Sequence, residues 1–170
     1  MELYVAQGYE QTTVAEIADR AGVTARTFFR HFADKREVLF AGSHAVAERM
    51  VDAVASAPDG ATPFDAVAAS LDAAAALVGD DIAHAGRRHR IIHANPELLE
   101  RELIKMSRLA DAVTAALSAR GVAEAEARLA AEAGITVFRV GYERWVTGLP
   151  SGDLATSLRD ALGQLRGLVG

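Results

Sequence analysis

The sequence predicts an all-α protein, with an N-terminal three-helix unit carrying a helix-turn-helix and a larger helical body behind it. Three observations predict this. Alanine is abundant and Pro occurs only four times in 170 residues. Ala loses no side-chain entropy in a helix, whereas interior Pro breaks one. Apolar residues recur at helical spacing, as at Leu154, Leu158, Leu162, Leu165 and Leu168. Two short helical patterns are joined by Ala21-Gly22-Val23-Thr24, a tight turn with a glycine in it.

The elements follow in order. Met1 to Gln7 reads as a short apolar helix with Gly8 as its C-cap. So short a helix is marginal alone, and a chain that opens inside one is expected to have lost upstream residues. Thr13-Val14-Ala15-Glu16 is a capping box that opens the second helix. Its inward stripe is Val14, Ile17 and Ala18, with Ala21 as a further candidate. Gly22 supplies the left-handed exit, and Thr24 caps a third helix running from about Ala25 to Phe32. Phe28 and Phe32, four apart, hold that helix to its neighbours. A fourth helix is expected from Lys35 to Ala57, then a loop over Ser56-Ala57-Pro58-Asp59-Gly60. Further helices are predicted over Pro63–Val78, Ile82–Ala94, Glu97–Arg120, Ala123–Thr147 and Asp153–Leu168. Gly79-Asp80-Asp81 separates the first two, and Gly148 and Pro150 end the fourth. Gly134 and Gly141 weaken the pattern of the Ala123–Thr147 helix. The expected division is residues 1–40 as the head and 41–170 as the body.

Composition narrows the function classes. Apolar residues make up 51 % and charged residues 24 %, as in ordinary soluble domains. No apolar run reaches the ~18 residues of a membrane span, and no leader pattern opens the chain. Cysteine is absent, which excludes disulfides and thiolate metal sites. The expectation is a cytoplasmic protein without a membrane partner. Net charge is -5, unpromising for a nucleic-acid binder. Locally the balance reverses: Arg20, Arg26, Arg30, Lys35 and Arg36 face a single acid, Asp34, with His31 among them. A local patch decides phosphate binding, although a solvated helical face has the same composition.

A helix fits the major groove, where each base pair shows its own donors, acceptors and methyls. The first turn of the third helix offers Thr24, Ala25, Arg26 and Thr27. Arg26 can donate two parallel hydrogen bonds to a guanine edge, and the Ala25 methyl can meet a thymine methyl. Thr27 suits a base or a phosphate. Phosphate contacts need donors at the groove rim, and Thr13, Thr24, Arg30, His31 and Lys35 are the candidates. Thr13 and Thr24 also read simply as caps, each worth ~1 kcal/mol.

The run from Gly8 to Ala18, then Ala21-Gly22-Val23-Thr24, then Thr27-Phe28-Phe29-Arg30-His31-Phe32 and Lys35, closely resembles the TetR/AcrR (tetracycline-repressor-like) family of bacterial transcriptional regulators. The likeness is dense over the first quarter of the chain. It implies a DNA-binding head and a ligand-binding, dimerising body. It also implies a homodimer built from the last two long helices, a palindromic double-stranded operator, and repression relieved by a small-molecule effector. The family's phosphate-contacting positions fall on Thr13, Thr24, His31 and Lys35. Phe29 stands where the family often has Tyr; lacking a hydroxyl, it is expected to pack. The family's first helix usually begins earlier, again pointing to upstream residues, with further basic contacts there.

Past Phe40 the likeness fades. His84, Arg87, Arg88, His89, Arg90 and His93 form an unusual basic patch on one short helix. Arg87, Arg90 and His93 are the candidates for an anionic ligand such as a carboxylate or acyl thioester, with a solvated surface as the plain alternative. Phe64, Met106, Phe138, Tyr142 and Trp145 are candidate pocket residues, although the i, i+4, i+7 spacing of Phe138, Tyr142 and Trp145 suits core or dimer-seam packing better. His89 and His93 lack a third ligand, so no metal is expected, and no cofactor. No nucleophile–base pairing, phosphate-binding glycine loop or paired-carboxylate motif supports an enzyme. The rival to a DNA-binding regulator is a helical small-molecule-binding or structural protein without sequence-specific DNA binding.

Overall fold

The computed structural model describes residues 1–79, 81–148 and 152–169, and every regular element among them is helical. Helix α1 (Glu2–Gln7) ends at Gly8, whose φ of 86° is open to glycine and strained for other residues. Helix α2 (Val14–Arg20) begins with the predicted box. The Thr13 hydroxyl accepts from the Glu16 amide, and the Glu16 carboxylate accepts from the Thr13 amide at 2.7 Å. Helix α3 (Ala25–His31) is capped by Thr24, which accepts from the Thr27 amide at 3.1 Å.

The single helix expected over Lys35–Ala57 is a correction. Asp34 caps a separate 3-10 helix, Lys35–Phe40, accepting from the Arg36 and Glu37 amides at 2.8 and 3.2 Å. Ala41 then leaves helical conformation and Gly42 turns left-handed at φ 87°, before α4 (Ser43–Ala55) begins. The break lets the two halves serve two cores. Leu39 and Phe40 turn into one; Met50 and Val54 turn into the other.

The remaining helices lie within two residues of their predicted bounds, the usual latitude at helix ends. They are α5 (Pro63–Val78), α6 (Ile82–His93), α7 (Pro96–Ala119), α8 (Glu124–Thr147) and α9 (Leu154–Val169). Two expected breakers, Asp80 and Pro150, lie outside the described residues.

The main core joins α4, α5, α7, α8 and α9 through Met50, Val54, Val67, Leu71, Val113, Leu117, Ile135, Leu154 and Leu158. Gly134 and Gly141 strengthen α8 rather than interrupt it. A Cβ on Gly134 would overlap the Val67 side chain, and one on Gly141 would sit 2.7 Å from Leu158 Cδ2. The bare backbones thus let α5 and α9 close on α8, and Ser157 Oγ donates to the Gly141 carbonyl at 2.7 Å. A second core gathers Tyr4, Tyr9, Leu39 and Phe40 with Ile92 of α6 and Leu98 of α7. The N-terminal unit is therefore seated on the body by shared apolar burial.

Candidate functional site

Two surfaces carry chemistry. The first is the outward face of α3. Phe28 is buried, and Phe32 packs beside it with ring centroids 5.2 Å apart. That anchors one side of the helix and leaves Arg26, Phe29 and Arg30, spaced i, i+3, i+4, on the other. Phe29 corrects the expectation of packing: it is 57 % exposed, touching Phe28 only edge-on. Ala25 and His31 are also exposed, and Thr27 is half-buried. His31 Nε2 lies 3.5 Å from Arg30 Nη2.

The basic patch is smaller than the sequence suggests. Arg20 is paired with Glu2. Arg36 pairs with Asp34 at 2.5 Å, and this guanidinium holds the Asp34 carboxyl below its usual range. Lys35 points away from the open surface. Its ammonium donates to the carbonyls of Tyr9, Glu10 and Thr12 at 2.8, 3.0 and 3.1 Å, and lies 4.4 Å from the Tyr9 ring centroid. An ammonium has three N–H donors, and here all three are directed at the α1–α2 loop. Tyr4 completes this brace by donating to the Lys35 carbonyl; burial pushes its hydroxyl up to about 12, keeping it a donor. Thr13 is similarly committed, since its hydroxyl donates to the Glu16 carboxylate at 2.8 Å. Thr24 and Thr27 share a hydroxyl contact of 3.1 Å. Arg26 and Arg30 have no ion-pair partner among the described residues and remain exposed.

The second surface is a cavity of about 720 Å³ between the start of α4 and helices α6, α7 and α8. Its size suits a small-molecule site. Of the sequence candidates it brings together His93, Met106, Phe138 and Tyr142. Phe64, Arg87, Arg90 and Trp145 do not line it. Trp145 is buried behind Tyr142, ring centroids 5.8 Å apart. Besides His93, the basic residues that line it are His44 from α4, His84, Arg88 and His89 from α6, Lys105 and Arg108 from α7, and Arg139 from α8. A signal was available: the apolar Ala85 and Ile92 mark, with Gly86, the buried side of α6, and Arg88 and His89 lie between them on it.

Ion pairs tie this cavity to the head. Arg88 Nε donates to the Leu39 carbonyl at 2.7 Å, and Arg88 Nη1 pairs with Glu102 at 3.0 Å. Glu37, in the 3-10 helix, pairs with Arg101 at 2.7 Å and Lys105 at 3.2 Å. Burial works to raise the Glu37 carboxyl, but hydrogen bonds from Arg101 and Lys105 outweigh it and hold the carboxyl low. Burial and the neighbouring His93 lower the His89 imidazole. The two rings lie 4.0 Å apart.

Residues 1–41 match the family described as bacterial regulatory proteins, tetR family, and residues 61–169 match the MftR C-terminal domain. The chain belongs to the TetR family of bacterial transcriptional regulators. This TetR-family chain is 42 % identical over 80 residues to the HTH-type transcriptional regulator TcmR of Streptomyces glaucescens. That match covers 47 % of this chain and spans about a third (35 %) of the relative's length. Among solved structures it resembles the TetR-family regulator PfmR of Thermus thermophilus, with TM-score 0.53 and 20 % identity over 96 % of this chain and 92 % of that one. It also resembles Thermus thermophilus FadR, a TetR-family repressor solved with lauroyl-CoA, with TM-score 0.57 and 23 % identity over 98 % and 89 %. No described helix is long and apolar enough to cross a membrane.

Proposed function

We propose that the protein is a homodimeric repressor in the cytoplasm, binding a palindromic operator through α3 and released by a small molecule held in the α4–α6–α7–α8 cavity. The carrying observation is the α3 face itself: Arg26 and Arg30 stand exposed, without ion-pair partners among the described residues, beside the apolar ring of Phe29. Thr24 caps this helix and Phe28 anchors it. Arg26 reads a guanine edge by a two-pronged hydrogen bond, and Ala25 or Phe29 meets a thymine methyl. Arg30, His31, Thr24 and Thr27 contact phosphates, which orient without specifying. Thr13 and Lys35 serve by fixing the loop and helix that present this face. Residues 1–40 act as the reading head and 41–170 as the regulatory and dimerising body.

The effector reading is supported by the cavity's size and mixed lining and by FadR having been solved with lauroyl-CoA. The dimer reading is supported by apolar side chains left open on the last two helices, Leu129 and Val140 on α8 and Leu168 on α9. The test is selection of bound duplexes from a random pool, followed by salt titration on the winner. A two-fold symmetric consensus and a steep salt dependence are expected. An unstructured pool, with no enriched sequence, would refute operator reading.

A further inference from the structure

The cavity and the head share one side chain. Arg88 forms part of the cavity wall, and its guanidinium is divided between the head and the body. Its Nε donates to the Leu39 carbonyl in the head's 3-10 helix; its Nη1 donates to Glu102 on α7. The group lies over the Phe40 ring, 5.3 Å from the centroid, and Arg88 and Glu102 are each about four-fifths buried.

A guanidinium offers an oxyanion two forks, Nε with Nη2 and Nη1 with Nη2. Here each fork has one prong already occupied, and the Tyr142 hydroxyl stands close to the same guanidinium. An oxyanion that takes Arg88 bidentately must therefore evict either Glu102 or the Leu39 carbonyl. Evicting Glu102 leaves a largely buried carboxylate with only His93, 3.9 Å away, beside it, which is costly. Evicting a neutral carbonyl costs far less. The wall is of mixed charge: Arg108 and Arg139 line it with no ion-pair partner among the described residues, but Asp81, Glu102 and Glu143 line it too, so Arg88 itself, rather than the net charge of the wall, selects an oxyanion.

We infer that Arg88 is the tether by which the cavity holds the head, and that the effector is an amphiphile whose oxyanion competes with the Leu39 carbonyl for it. This rests on the cavity being the effector site. An apolar tail lies along Leu103, Met106 and Phe138 while the oxyanion takes the Nε fork. Once the Leu39 carbonyl is released, the 3-10 helix keeps only its Glu37 pairs and its apolar seat, and α3 loses its fixed position relative to the body.

The experiment uses the full chain and two readouts. Trp145 is the chain's one tryptophan and touches Tyr142 of the cavity wall, so its fluorescence reports occupancy. Hydrogen–deuterium exchange of the amides from Lys35 to Ala41 reports the tether. The probes are decanoate, decanol and decylamine, each below its aggregation threshold. Decanoate is expected to change Trp145 fluorescence and speed exchange several-fold; decanol is expected to change fluorescence alone. R88Q is expected to exchange in this segment as fast without ligand as the wild type does with decanoate, and to gain nothing when decanoate binds. R87Q, outside the cavity, should behave as the wild type. Equal exchange in ligand-free R88Q and wild type overturns the tether. An equal decanoate response in R88Q, or a response to decylamine in place of decanoate, overturns the anion step. Silence of Trp145 toward all three probes sinks the effector-cavity reading, and the anion step with it, while leaving the ligand-free R88Q comparison to decide the tether.

Discussion

Lys35 carries a charge that three main-chain carbonyls, rather than any carboxylate, hold in place. From sequence it reads as a phosphate contact, because a lysine at a helix start next to a recognition helix is correctly typed for one. What sequence does not show is that the loop from Tyr9 to Thr12 folds back to take all three of its protons. The consequence separates stability from affinity. Lys35→Gln should cost about 1.5–3 kcal/mol of head stability, the range for hydrogen bonds to a charged group, and leave the salt slope of DNA binding unchanged. Thermal melting and a salt titration check both halves; a slope reduced by about one would restore Lys35 as a phosphate contact. Arg26 behaves oppositely, since no described residue pairs with it. Arg26→Ala should leave melting unchanged, cost ~1–3 kcal/mol on the preferred duplex and relax specificity at one base pair. Uniform weakening across all duplexes would assign it to the backbone instead.

Helices α2 and α3 were legible because their signals are local: a capping box, a glycine turn and a threonine cap act within four residues of one another. The break at Ala41-Gly42 was not, because its cause is distant. Leu39 and Phe40 are drawn to Ile92 and Leu98, more than fifty residues away, while α4 is drawn to the main core. The glycines of α8 show the same limit from the other side. Propensity counts them against the helix, but the packing of α5 and α9 requires them. Gly141→Ala should destabilise by about 1–3 kcal/mol, the usual cost of overpacking, because Leu158 and the Ser157 carbonyl stand where the methyl would go. For a chain of this size that is a fall of about 2–4 °C in Tm per kcal/mol. Gly163→Ala, where a Cβ meets nothing, is the control and should be neutral or slightly stabilising. Equal melting of the two variants would mean that α9 is free to retreat.

At the scale of the whole molecule, the head is held to the body by a shared core and by charges that answer to pH. Glu37 is held low by Arg101 and Lys105, so its contribution is complete above the ordinary glutamate value of 4.5 and is lost as pH falls through its lower folded value. Acid should therefore speed exchange of the Lys35–Phe40 amides beyond the intrinsic rate change, and Glu37→Gln should remove that acid limb; an unchanged profile in the variant would place the limb elsewhere. The cavity was the least legible feature, since five α-helices and the 3-10 helix, from separate parts of the chain, line it, and only the α6 stripe hinted at which basic residues face inward. The dimer stands between these cases. Leu129 and Val140 lie three turns apart on one face of α8 and are 72 % and 38 % exposed, and Leu168 on α9 is 83 % exposed. Burying one such leucine contributes roughly 1.5–3 kcal/mol, and a two-fold axis buries each twice. Leu129→Glu replaces that gain with the cost of burying a carboxylate in each copy, so the variant should sediment as a monomer at concentrations where the wild type is a dimer. Its α3 is untouched, so each head should still hold a half-site weakly, but the affinity that comes from two linked heads reading half-sites ~34–36 Å apart should disappear. A Leu129→Glu protein that stays dimeric and binds the palindrome as tightly as the wild type would move the interface off this face of α8.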